Sequence, residues 1–182
     1  MNYYALALYS HFLGLVGLFV GYGLEWTASS KLRRAATADQ ARAWLGLYRA
    51  SLPVSGPGLL LLILTGGYLA SITGSMRQGW MSASLLAVFV ALFIGFVLLL
   101  PRMKQIRAAL PEGSSTLQDA VLARVKDPVI VTLIRVRFLL ALGIVYLMTL
   151  KPDGFSTSLI ALLIAIVLGV LSAASSWSSR KA

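Results

Sequence analysis

Cysteine is absent from this chain, which excludes disulfides, zinc–thiolate centres, iron–sulfur clusters and thiol catalysis together. Acid is nearly absent: there are six Asp and Glu in 182 residues. They stand singly, so no intramembrane pair of carboxylates is available for metal-assisted hydrolysis. No glycine-rich phosphate loop follows a strand pattern, and no nucleophile stands with a histidine and an acid in catalytic spacing. The chain does not read as an enzyme working through its own side chains; catalysis here would need a cofactor.

Charge is scarce as well. Charged residues make up 12% and hydrophobic residues 58% of the chain, where a soluble domain carries roughly a quarter charged residues. With a mean hydropathy of +0.83, most of the surface must face lipid. A net charge of +10 would suggest nucleic acid in a soluble protein. Here the basic residues flank apolar runs, where they act as orientation signals, and no nucleic-acid partner is expected.

What is present is a series of five apolar runs, at about 3–26, 52–72, 80–100, 128–150 and 156–177, each near the roughly twenty residues that cross a bilayer core. The fold expected is all-α and polytopic: five transmembrane helices, with a four-helix-bundle core plus a fifth helix, in a single integral membrane domain. The first run lacks a basic leader and a small-residue cleavage pattern, so it reads as a retained span rather than a signal peptide. Tyr3, Tyr4, Trp26 and Trp80 stand where interfacial anchors belong. Pro53, Gly56, Pro57 and Gly58 predict a bend or irregular entry to the second span. Asp127 and Pro128 form a cap followed by a first-turn proline at the start of the fourth.

Threading these spans puts fourteen of the sixteen Lys and Arg residues on one side, leaving Arg77 and Lys151 on the other. The positive-inside rule then places the N-terminus outside and the C-terminus, with Arg180 and Lys181, in the cytoplasm. A bacterial inner membrane is the expected location. Residues 27–51 and 102–126 are long enough to hold short helices. Residues 38–50, with Trp44, Leu45 and Tyr48 among Arg42 and Arg49, suit a helix lying on the inner leaflet.

Several residues are unusual for their depth. His11, the only histidine, lies about eight residues, or roughly 12 Å, into the first span. It shares a helix face with Tyr4, Gly14, Leu18, Gly21 and Glu25 and borders the Gly17, Gly21 pair, a spacing that admits a close neighbour. Matching depths brings Thr65, Tyr68 and Tyr146 to the same level as a polar cluster. Met76, Met81 and Met148 lie near the outer ends of their spans, so His11 with Met81 and Met148 forms a candidate copper(I) set. The alternatives for His11 are an axial haem ligand, a copper ligand, a proton-transfer group or a packed ring bonded to a hydroxyl or carbonyl. Arg135 and Arg137 fall inside the fourth span. They either snorkel, contact an anion such as a headgroup or propionate, or, in the case of Arg135, pair with Glu25. Thr65, Gly66 and Gly67 read as a close-packing site.

Taken in order, His11 with Gly14 and Gly17, then Tyr48, Arg49, Pro53 and the step Leu64-Thr65-Gly66, then Trp80, then Arg137 through Met148, Lys151 and Pro152, resemble a superfamily of small bacterial membrane proteins. It includes CopD-type copper-resistance proteins, the HemJ-type protoporphyrinogen oxidase and an uncharacterised branch of integral membrane proteins, to which the chain is most similar. The oxidase has a histidine and a lysine where this chain has Ser82 and Ser84, so its activity is not carried over. What the resemblance implies is haem binding through His11, with copper second. Two readings from other classes stand beside it: a structural or accessory subunit that binds partner helices or a second copy of itself, and a small permease.

Overall fold

The computed structural model describes residues 2–112, 116–174 and Trp177. The basic pair Arg180 and Lys181 lies outside them. Among the described residues the chain is helical, with seven α-helices: α1 Tyr3–Leu32, α2 Ala38–Ile72, α3 Gly79–Phe93, α4 Leu100–Ala108, α5 Asp119–Val125, α6 Pro128–Leu150 and α7 Phe155–Ala174. Five stretches are long and apolar enough to cross a membrane: α1, α2, the rod Gly79–Ala108, the stretch Asp119–Leu150 and α7.

Local chemistry sets the helix starts. The Asn2 side chain accepts from Ala5 N–H and Thr37 accepts from Gln40 N–H, while Gln40 returns a bond to Ala36 N–H, so orphan amides at both starts are satisfied. Asp127 caps α6 through Val129 N–H at 3.0 Å, with Pro128 in the first turn, as its sequence predicts. Lys151 ends α6 in the left-handed conformation at φ 45°.

One of the expectations for the second span is corrected. Residues 38–50 do not form a separate surface helix; they are the first part of α2, which runs unbroken through Pro53 and Pro57. Ser51 and Ser55 hydroxyls donate to the Tyr48 and Ser51 carbonyls inside that stretch. Leu45 and Tyr48 are each 5% exposed, because the segment packs against protein. α5 is the short helix expected between the third and fourth spans.

The outside of the molecule is apolar. Phe12, Val16 and Val20 on α1, Leu60 and Leu64 on α2, Phe89 and Phe96 on the third rod, and Leu163, Val167 and Leu171 on α7 are all half exposed or more. The buried positions of α1 are instead Gly14, Leu18, Gly21, Tyr22, Glu25, Ala28, Ser29 and Leu32. Small and polar residues inside with bulky apolar residues outside is the pattern of helices dissolved in lipid, where close backbone approach drives association.

That approach recurs along the crossing of α1 and α2. A Cβ added at Gly14 would stand 2.8 Å from the Gly58 carbonyl oxygen, and one at Gly58 would stand 2.8 Å from both Gly14 O and Leu18 N. Gly21 faces Ser55 just as closely, whereas Gly17 has ordinary contact distance. The tight crossing is therefore built by Gly14, Gly21 and Gly58, with Gly17 beside it. α6 and α7 form a second pair, where Gly169 lies against Val136, and α3 packs on both of them.

Two larger apolar clusters divide the interior. One, around Leu32, Leu45, Leu99, Ile106, Val121 and Ile134, lies at the end where α1 finishes and α2 begins. This end, rich in Lys and Arg, is called the basic end below. The other gathers Ala70, Trp80, Met81, Ala87, Leu140 and Leu147 toward the opposite end. At the basic end Arg33 donates to the Lys126 carbonyl at 2.8 Å, and Leu117 N–H donates to the Ala36 carbonyl, so the connections are tied to one another.

Candidate functional site

His11 lies on α1 where that helix runs beside the Thr65–Gly66 step of α2. Its Nδ1 is 3.0 Å from Thr65 Oγ1. The Thr65 hydroxyl donates its single hydrogen to the Leu61 carbonyl at 2.5 Å. Thr65 Oγ1 can therefore only accept from the ring, which makes Nδ1 the protonated nitrogen and leaves the lone pair of the neutral imidazole on Nε2. Gly66 makes room for this: a Cβ there would meet His11 Cε1 at 3.1 Å. A side chain at 66 would press on the ring, which would have to shift by a few tenths of an ångström.

The ring borders a cavity of about 380 Å³ between α1, α2, α3 and α6. Phe12, Leu15 and Leu69 give it apolar walls, while Met81, Met148 and Lys151 line it from the other side. Lys151 Nζ sits 5.8 Å from the centre of the Trp80 ring, and Trp80 Nε1 donates to the Gln78 side chain. Among the described residues there is no group of three or more His, Cys, Asp or Glu side chains. The soft or borderline donors that this cavity offers are one imidazole nitrogen and two thioethers.

The cavity thus brings together His11, Met81 and Met148, three residues from three helices. Thr65 joins them through its bond to the ring. Tyr68 and Tyr146 are 43% and 49% exposed and do not line the cavity; equal depth along the helices does not fix the direction a side chain faces. Met76 is also half exposed, at 51%. By sequence Lys151 reads only as a flanking charge. The signal for more is there, since Lys151 closes one span at the level where Trp80 opens another.

A second polar site lies deeper toward the basic end. Arg137 Nη1 is 2.9 Å from Glu25 Oε2, with side-chain exposures of 12% and 2%. Ser51 Oγ approaches the other carboxylate oxygen at 3.4 Å, and the guanidinium lies 4.6 Å from the Tyr22 ring centre. The expected partner of Glu25 is Arg135, but the ion pair is made by Arg137. Arg135 instead places its guanidinium 5.1 Å from the Trp26 ring centre. Two residues on a helix are about 200° apart, so the two arginines cannot share one partner face. The rod opposite carries a π-helical turn, Ile94–Leu99, and its Gly95 admits the guanidinium, whose Cζ would lie 3.1 Å from a Cβ there. Arg137 Nε is buried and has no hydrogen-bond partner among the described residues.

Residues 6–152 match the family described as predicted integral membrane protein (DUF2269). No curated protein and no solved structure matches the chain. With five spans of membrane-crossing length, an apolar exterior and a family match over most of its length, the chain is an integral membrane protein that belongs to this family.

Proposed function

We propose that the cavity beside His11 is a ligand site and that its ligand is haem. The observation that supports this reading is the Thr65 bond, which would hold His11 as the Nδ1–H tautomer and leave Nε2 to ligate a group in the mostly apolar cavity that the ring borders. The donor set fits the group. His11 with Met81 or Met148 would hold the iron, and Lys151 would supply a cation for a propionate. Haem bound there would supply one-electron chemistry or sensing. The resemblance of the His11 helix to that of the CopD/HemJ-type superfamily supports the same assignment.

Copper(I) is the second reading, favoured by the presence of His11, Met81 and Met148 around one cavity, since imidazole and thioether donors suit that ion. The positively charged Lys151 amine in the same lining weighs toward the haem reading, which gives that charge a partner.

The orientation we propose has the N-terminus outside and the C-terminus in the cytoplasm of a bacterial inner membrane. It is supported by the basic end of the bundle, where Lys31, Arg34, Arg49, Lys104 and Arg107 gather. The His11 cavity then opens toward the outer face. The test is an absorption spectrum with metal analysis on protein purified in mild detergent, beside His11→Ala. A Soret band lost in the variant is the expected result. A colourless protein carrying copper selects the second reading, and a colourless, metal-free protein overturns both in favour of an accessory role.

A further inference from the structure

The third rod meets α2 through α4, at the basic end. Between α2 and α4 lies a cavity of about 440 Å³, walled by Leu45, Tyr48, Leu52, Leu100 and Met103. Arg49, Lys104 and Arg107 also line it. All three cations are exposed, and none has an ion pair among the described residues. No acid lines the cavity. Tyr48, Leu52 and Leu100 are shared with a second cavity, of about 240 Å³, which continues among α1, α2, the third rod and α6 past Leu59, Leu92 and Phe96 to the ion-paired Arg137. The whole is a cleft with three exposed cations at one end and a mostly apolar trough leading inward from them toward the Glu25–Arg137 pair.

We infer that this cleft binds one anionic phospholipid, its phosphate on Arg49, Lys104 and Arg107 and an acyl chain along Leu52, Leu59 and Phe96. The charge arrangement decides the class of occupant. Three unopposed cations at the rim of an apolar trough select a negative headgroup. The trough makes the occupant an amphiphile rather than a soluble anion. This site is separate from the His11 cavity and does not depend on what that cavity holds.

The experiment is native mass spectrometry of the full chain in a neutral detergent, with added phosphatidylglycerol, phosphatidylcholine or inorganic phosphate. One retained phosphatidylglycerol per chain is expected. R49Q/K104Q/R107Q should weaken its retention roughly a hundredfold, since each basic side chain near the headgroup contributes about fivefold. K31Q/R34Q/K126Q removes three exposed cations at the same end that do not line the cleft, and retention should be unchanged. Leu52→Trp fills the trough without touching a charge and should also weaken retention, which keeps the test decisive if the triple variant folds poorly. Equal retention of phosphatidylcholine, equal loss in the control triple, or displacement of phosphatidylglycerol by inorganic phosphate with Leu52→Trp without effect would overturn the proposal.

Discussion

Arg137 and Glu25, 112 residues apart in sequence, meet at 2.9 Å inside the bundle. Both are largely withdrawn from solvent, so the pair joins α1 to α6 at a depth where neither group can remain charged comfortably alone. Removing one partner strands the other. Glu25→Ala should therefore cost about 3–5 kcal/mol of stability in detergent. Glu25→Ala with Arg137→Met should cost less than the two single changes added together. Thermal unfolding of the four proteins measures this; additive losses would show that the two residues do not act as a pair.

The α1–α2 crossing makes a paired prediction at two glycines of one helix. Gly58→Ala puts a methyl group against the backbone of Gly14 and Leu18 and should destabilise by about 1–3 kcal/mol, the usual range for overpacking. Gly67→Ala meets nothing within 4 Å and should be close to neutral. Unfolding midpoints in the same detergent give the comparison.

Thr65→Val keeps the size of the side chain but removes the acceptor that holds His11 Nδ1–H. Ligand affinity at the His11 cavity should fall about 10–100-fold, as for other partners that orient a ligating histidine. The midpoint of unfolding should hardly move. Titration of the purified variants with haem, followed by absorbance, separates this from His11→Ala, which should abolish the ligated spectrum.

Because the chain has no native cysteine, orientation can be read from single introduced thiols. Asp153→Cys lies in the exposed turn between α6 and α7, and Arg34→Cys lies exposed at the basic end. An impermeant maleimide added to intact spheroplasts should label the first and reach the second only after permeabilisation. The reverse pattern would invert the proposed topology.

Much of this molecule is legible in its sequence. The spans are written in hydropathy, the α6 cap in Asp127-Pro128, and the inward stripe of α1 in the steps from Gly14 through Leu18 and Gly21 to Glu25. His11 takes its depth from its distance along the helix. Azimuth cannot be read in the same way. The local sequence around Arg135 and Arg137 does not say which one faces α1, because that depends on how α6 is rotated against its neighbours. The same gap separates Thr65, which meets the histidine, from Tyr68 and Tyr146, which face outward. Residues 38–50 resemble a surface helix because their apolar and basic residues are interleaved. Only their packing beside the end of α1, around Ala28 and Leu32, shows that they continue into a span.

The π-helical turn at Ile94–Leu99 is a one-residue insertion in an otherwise regular helix, and it sets the phase of everything after it. Upstream of it the rod meets α6 and α7, and downstream it meets α2 and α5. One helix thus serves two sets of neighbours at two different rotational settings. Deleting Gly95 would restore the regular phase, and the side chains from Leu100 onward would swing by about 100° relative to those before it. The lining of the cleft and the seat of the Arg137 guanidinium would then be lost together. That turn works as a fixed gear between the two ends of the molecule.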